Sequence, residues 1–298
     1  AELVFYRLSF CVQDFDPEVQ KAVNRVQPAK QVFELMAAAR RLGFESINAD
    51  LIYGLPRQTA ESFERTLAQV AELRPDRIAL YAYAHLPERF KPQRRIISAD
   101  MPMASDKVAM LSRALESFSD AGYVYVGMDH FALPDDALAV AKRQGRLHRN
   151  FQGYSTQPDC DLIALGVSAI GRVGATYSQN AKTLDEYYDR INQGKLPVVR
   201  GLALTRDDLV RRAVIMALMC QGELLFEPLS QAWLINFQQY FALEIERLQE
   251  MQQQGLVQLS AEGVEVTEMG WYFVRGIAML FDKNLQMDRN RARFSRII

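Results

Sequence analysis

The run Ile47-Asn48-Ala49-Asp50-Leu51-Ile52-Tyr53-Gly54-Leu55-Pro56 decides the fold. Its first seven residues are mostly apolar, the length of a strand and too short for a helix, and Gly54 and Pro56 break it. Helical patterns flank it. Upstream, Val32, Leu35, Met36, Ala39 and Leu42 share one helical face that Gly43 closes. Downstream, Thr59 suits the cap of a helix carrying Phe63, Leu67 and Val70 to about residue 73. Further out, a strand ends near Gln13, and Asp16-Pro17-Glu18 offers a cap, a first-turn proline and an acid at the positive helix end. Beyond the core run come a strand over 78–84, a helix over roughly 105–120 and a strand from 123 to about 128. Strand and helix alternating at this spacing predict an α/β fold, a parallel sheet with crossover helices.

In such folds chemistry gathers at the C-terminal ends of the strands. Those ends carry Gln13-Asp14, Asn48 with Asp50, Ala84-His85 and Asp129-His130. Asn48 and Asp50 are two apart and share a face. A carboxylate buried bare costs several kcal/mol, so Asp50 needs either a structural hydrogen bond or a ligand, and both remain open. Ala82 and Ala84 share a face on the next strand and leave space beside it.

The whole chain has 298 residues, 49% hydrophobic and 24% charged, which fits two globular domains and excludes wholesale disorder. Its net charge of −1 argues against a polyanion-binding surface over the whole chain. Three dispersed cysteines, Cys11, Cys160 and Cys220, form no CxxC and no disulfide framework, which reads as a reducing compartment. No run approaches the ~20 apolar residues of a membrane span. After Gly145 the composition shifts to a polar, aromatic loop from His148 to Thr156 and a glycine-punctuated stretch from Gly166 to Gly174, which by default reads as a turn. From about 201 the pattern is helix, helix, hairpin, helix, a winged-helix outline. Between Gly201 and Phe281, however, 5 Arg and no Lys stand against 10 acids, the wrong sign for nucleic acid. Residues 283–298 reverse this with a surplus of +4, suited to a carboxylate or phosphate. Domains are therefore expected at 1–145, 146–200 (a connecting region) and 201–298.

The residues alone do not name a reaction. No GxSxG, no metal-ligand spacing and no activated cysteine stands out, and acid–base work by Asp50, Asp129 or His130 is unspecific.

Two segments resemble the second half of a radical S-adenosylmethionine barrel: Ser9-Phe10-Cys11-Val12-Gln13-Asp14-Phe15-Asp16-Pro17-Glu18-Val19-Gln20, and Ile47 through Pro56 with Gln58-Thr59. Within that superfamily the chain is similar to the oxygen-independent coproporphyrinogen III oxidases (dehydrogenases). Three further stretches select these over their haem-carrying relatives: Gly127-Met128-Asp129-His130-Phe131-Ala132, the loop from His148 to Thr156, and Arg293-Phe294-Ser295-Arg296-Ile297-Ile298. The resemblance implies a partial (β/α) barrel of the later βα units only, followed by a mostly helical C-terminal domain with a small β-hairpin. It places Gln13, Arg25, Asp50, Ala84 and Ile170 at positions that bind S-adenosylmethionine, of which family members hold two molecules.

The implied reaction is part of anaerobic haem biosynthesis in the cytoplasm. A [4Fe–4S] cluster cleaves S-adenosylmethionine, and the resulting radical takes a hydrogen from a propionate β-carbon. Two propionates of coproporphyrinogen III become vinyls, giving protoporphyrinogen IX; neither electron donor nor acceptor is specified. For a tetra-anionic tetrapyrrole, Arg89, Lys91, Arg94 and Arg95 in the basic loop, with Arg293 and Arg296 in the tail, are the candidate substrate contacts.

The family's CxxxCxxC cluster motif would lie before Ala1. The expectation is therefore a C-terminal portion that holds no metal or cluster and is inactive by itself, with an unpaired strand edge near residues 4–12. The alternatives are a non-enzymatic haem or porphyrin carrier of the same superfamily, with an axial ligand such as His148, and a protein–protein adaptor using the acidic C-terminal module.

Overall fold

The computed structural model describes residues 5–287. These residues form two compact units, the first reaching Val140 and the second starting at Ala141.

In the first unit β1 (Arg7–Gln13) leads through α1 (Pro17–Ala22) and α2 (Ala29–Arg41) to β2 (Ser46–Tyr53). Next come α3 (Ala60–Leu73), β3 (Arg77–Ala82), α4 (Ala104–Asp120), β4 (Val124–Gly127) and β5 (His130–Ala132). The caps are those the sequence encodes. Asp16 accepts from the Glu18 and Val19 amides ahead of Pro17. Thr59 and Ser62 exchange side-chain-to-backbone bonds at the start of α3. β1 pairs with β2 and β2 with β3, both parallel. Along β2 the residues alternate: Ile47, Ala49, Leu51 and Tyr53 are buried against the helices, while Asn48, Asp50 and Ile52 lie on the half-open face. Val12, Phe63, Leu67, Ile78, Leu80, Met110 and Phe118 complete this core.

Two expectations are corrected here. The sheet is not parallel throughout, because its order is β1-β2-β3-β5-β4 and β5 runs antiparallel to both its neighbours. The cause is local: Met128 (φ 45°) and Asp129 (φ 79°) are both left-handed, which makes the two-residue hairpin turn that reverses the chain. Asp129 is thus a turn residue and His130 opens the return strand. The strand expected over 78–84 stops at Ala82, so Ala84 lies in the loop beyond.

The second unit takes in residues 146–200 as well as the C-terminal region, so the connecting region is not a separate body. α5 (Ala137–Arg143) spans the division, and β6 (His148–Asn150) pairs with β7 (Gly153–Ser155). An antiparallel sheet joins β8 (Ile170–Val173), β9 (Thr176–Asn180) and, after α6 (Leu184–Asn192), β10 (Val198–Ala203). The glycine-rich stretch read as a turn is strand only over 170–173, with turn or bend at 166–168 and 174. A Cβ on Gly171 would meet the Leu162 carbonyl oxygen at 2.9 Å, so the glycine serves the close approach of a neighbouring chain segment that bridges at Leu162 and Arg172.

α7 (Arg206–Gln221) opens on a Thr205–Asp208 capping box and ends at left-handed Gly222. After β11 (Glu223–Leu225) come α8 (Phe226–Trp233), α9 (Phe237–Tyr240), α10 (Ala242–Gln253), β12 (Val257–Leu259), β13 (Gly263–Val266), α11 (Glu268–Tyr272), α12 (Val274–Met279) and α13 (Lys283–Met287). The helix expected at 237–253 breaks at Phe241, whose ring packs 4.8 Å from Phe237 and 5.3 Å from Phe281. Aromatic core contact outweighs helical continuity there.

Candidate functional site

In the first unit a cavity of about 660 Å³ includes the C-terminal ends of β1 and β2 and the segment beyond β3. Gln13 closes β1 at a left-handed φ of 65°, where the register with β2 slips by one residue. Arg25 comes just after the turn that ends α1, and its Nη2 donates to the Cys11 carbonyl at 3.1 Å. Both line the cavity. Behind Gln13, buried Asp14 accepts from Gln58 Nε2 (2.5 Å), Thr66 Oγ1 (2.9 Å) and the Asp16 amide (2.6 Å). Burial raises its pKa against those donors. The network anchors the end of β1 to α3.

The opposite wall comes from the loop after β3. Gln93 donates to the Ala84 carbonyl at 3.1 Å and accepts from the Leu86 amide at 2.6 Å. This clamps the 3₁₀ turn Lys91–Arg95 so that Lys91 and Arg95 join the lining. With Arg25 they make three cations among the described residues, and no Asp or Glu among those residues lines the cavity. Tyr83 also lines it; its hydroxyl is buried and has no hydrogen-bond partner among the described residues. Burial raises the Tyr83 pKa, so the group stays a neutral donor.

Asp50 lies on the half-open face of β2, opposite Cys11. Its Oδ1 accepts from Asn48 Nδ2 at 2.7 Å, and its Oδ2 from Ser9 Oγ at 3.2 Å and Cys11 Sγ at 3.4 Å. The carboxylate therefore has protein partners.

A second cavity, of about 680 Å³, belongs to the other unit, and Ile170 lines it. Gln13 and Arg25 line one cavity with the loop cations Lys91 and Arg95, while Ile170 belongs to a separate cavity. Arg94 instead donates to the Pro87 carbonyl at 3.0 Å, and the Arg89 guanidinium lies 5.9 Å from the Phe90 ring centre. Arg293 and Arg296 fall outside the described residues. Sequence reasoning missed Tyr83 and Gln93 in the first unit. It also missed Arg149, Arg172, Tyr177 and Arg212 in the second, because each comes from a different element. The one available signal was Tyr83, two residues past the strand face bearing Tyr81.

Comparison with known proteins decides the family. The radical SAM superfamily model matches residues 1–70 and the HemN C-terminal domain model matches residues 204–273. The oxygen-independent coproporphyrinogen III oxidase of Thermostichus vulcanus is 45% identical over 298 residues, covering all of this chain and 91% of that protein. The chain belongs to the oxygen-independent coproporphyrinogen III oxidase family. The family member of Pseudomonas aeruginosa is 51% identical over 297 residues, and this chain spans 64% of its length. A solved structure described as the coproporphyrinogen III oxidase (HemN) of Escherichia coli, a radical SAM enzyme, superposes with a TM-score of 0.92 at 48% identity. That match covers 95% of this chain and 65% of the other. The fold is accordingly the radical SAM fold of this family with a helical C-terminal region; the five-stranded sheet is open among the described residues.

The family uses S-adenosylmethionine and a [4Fe–4S] cluster. The first cavity fits the former: it offers a guanidinium and a Tyr83 hydroxyl without a partner, and no carboxylate lines it among the described residues. The described residues do not fit a cluster, since no group of three His, Cys, Asp or Glu among them could hold a metal. No helix among the described residues is long and apolar enough to cross a membrane.

Proposed function

We propose that this chain forms part of an enzyme that oxidatively decarboxylates two propionates of coproporphyrinogen III to vinyl groups, in the cytoplasm. The observation that carries this reading is the cavity in which Gln13 and Arg25 face the same space as Lys91 and Arg95. S-adenosylmethionine, when bound, supplies the hydrogen abstraction from the propionate. Arg25 grips its carboxylate through paired N–H donors, since a guanidinium matches a carboxylate in geometry and charge. Gln13 and the Ala84 backbone flank it, and Asp50 accepts from a hydroxyl or ammonium group. Gln93 positions Lys91 and Arg95, whose charges meet the anionic substrate and favour its approach. Tyr83 offers a neutral donor to whichever polar atom reaches it. Ile170 supplies an apolar contact in the second unit's own cavity, and Arg89, Arg94, Arg293 and Arg296 extend the positive charge available to the tetrapyrrole.

The test is anaerobic turnover of coproporphyrinogen III by the full-length protein, with product vinyls counted by mass spectrometry. Two vinyls per tetrapyrrole are expected, and Arg25→Ala is expected to raise the Kd for S-adenosylmethionine at least tenfold. Unchanged coproporphyrinogen in the presence of reductant and cofactor would overturn the reading.

A further inference from the structure

The cavity of the second unit is built differently from the first. Four arginines line it: Arg149 from β6, Arg172 from β8, and Arg211 and Arg212 from α7. Three of them are neutralised, Arg211 by Asp207 and Glu244. Arg212 holds Asp159 with both amino groups, each at 2.8 Å, and Arg172 reaches the same carboxylate at 2.5 Å and the Cys160 carbonyl at 2.7 Å. One carboxylate thus serves two guanidiniums.

Arg149 is the exception. Its guanidinium carbon lies 4.9 Å from the centre of the Tyr154 ring, and the Tyr154 hydroxyl is itself tied to the Met219 carbonyl at 2.8 Å. Arg149 makes no ion pair among the described residues, and its Nη1 is buried with no acceptor there. A buried donor without an acceptor is costly, and Nη1 is such a donor on a half-buried side chain. Such an arrangement is maintained where a ligand supplies the missing oxygen. The cavity also presents apolar surface from Leu162, Ile170, Leu204, Met216 and Met219, and its volume is in the range of small-molecule sites.

The geometry points to a carboxylate subsite at Arg149, taking an ionised propionate of a tetrapyrrole whose ring system lies on that apolar surface. This rests on the reading that the protein acts on a tetrapyrrole. The Tyr154 ring lies against the guanidinium, and the Asp159 pairings hold Arg172 and Arg212. One unpaired cation, rather than several, lets an acid be held by charge and still leave when it has lost its carboxylate.

The test uses the full-length protein and coproporphyrin III, the stable oxidised tetra-acid, titrated by its Soret absorbance. Arg149→Gln is expected to weaken binding at least tenfold, with part of the affinity returned by Arg149→Lys. Binding of S-adenosylmethionine, measured separately by calorimetry, is expected to stay within twofold. Should Arg149→Gln fail to fold, Arg149→Lys carries the test, with severalfold weaker coproporphyrin III binding expected; in the wild-type protein the tetramethyl ester is expected to bind at least tenfold more weakly than the tetra-acid. Equal affinity of acid and ester, or undiminished binding by a folded Arg149→Gln, overturns the subsite. So does loss of S-adenosylmethionine binding in place of porphyrin binding, which would make the methionyl carboxylate the occupant. Arg149-dependent porphyrin binding without any vinyl product would instead retain the subsite and remove the proposed reaction.

Discussion

The Cys11 thiol faces the Asp50 carboxylate across the β1–β2 pair, Sγ to Oδ2 at 3.4 Å. Partial burial and the adjoining negative charge both raise the thiol's pKa, outweighing the opposite pull of Arg25. Cys11 therefore stays protonated at neutral pH and spends its hydrogen on Asp50. Replacing Asp50 by Asn removes the charge, so iodoacetamide should alkylate Cys11 several-fold faster at pH 8.5, with the site read by peptide mass spectrometry. Cys220 gives the internal reference, since burial pushes its thiol up to about 12. An unchanged Cys11 rate in Asp50→Asn would show that the carboxylate does not govern the thiol.

Asp14 is the residue on which the end of β1 depends. Truncation to Ala leaves the side chains of Gln58 and Thr66 and the Asp16 amide without their acceptor. Orphaned buried donors of this kind cost roughly 1–3 kcal/mol each before relaxation, so Asp14→Ala should lose about 2–4 kcal/mol in a urea titration. Asp14→Asn, which keeps one oxygen, should lose less.

Asp159 sets an acid limit for the second unit. Burial alone would raise its pKa, but the guanidiniums of Arg212 and Arg172 prevail and hold it below the ordinary carboxylate value. A folded pKa below the unfolded one gives stability that is present above the unfolded value near 4 and fades as pH falls through the folded one. Thermal melts taken from pH 6 down to pH 2.5 should therefore fall less steeply for Asp159→Asn than for the wild type. Parallel curves would remove Asp159 from the acid response.

Gly270 and Gly171 give a packing test. A Cβ at Gly270 would sit 1.8 Å from the Leu256 carbonyl oxygen, and one at Gly171 would sit 2.9 Å from that of Leu162. Both clashes are with backbone and need it to move, the first by much more than the second. Gly270→Ala should cost several kcal/mol, beyond the roughly 1–3 kcal/mol usual for overpacking, and Gly171→Ala distinctly less. The comparison is between melting temperatures of the two variants.

Much of the first unit was legible because its determinants are local. The Asp16 and Thr59 caps, the alternation along β2 and the breaks at Gly43 and Gly54 depend on neighbours within a few residues, and each lies where its pattern puts it. The family, too, was written in contiguous motifs. Most of what sequence alone could not determine depends on contacts distant along the chain. The reversal of β5 is the local exception, made by two successive left-handed residues neither of which is glycine, while the break at Phe241 comes from aromatic neighbours up to 40 residues away. Two of the three partners of Asp50, Ser9 and Cys11, come from a strand 39 to 41 residues earlier. Arg149, Arg172 and Arg212 carry no shared motif; only packing β6, β8 and α7 together lets one Asp159 neutralise two of them and leaves the third without an ion pair among the described residues. Capping and periodicity are short-range energies that a sequence displays directly. Whether a charge is neutralised or left for a ligand depends on which distant residue packs beside it, and only the tertiary structure determines that.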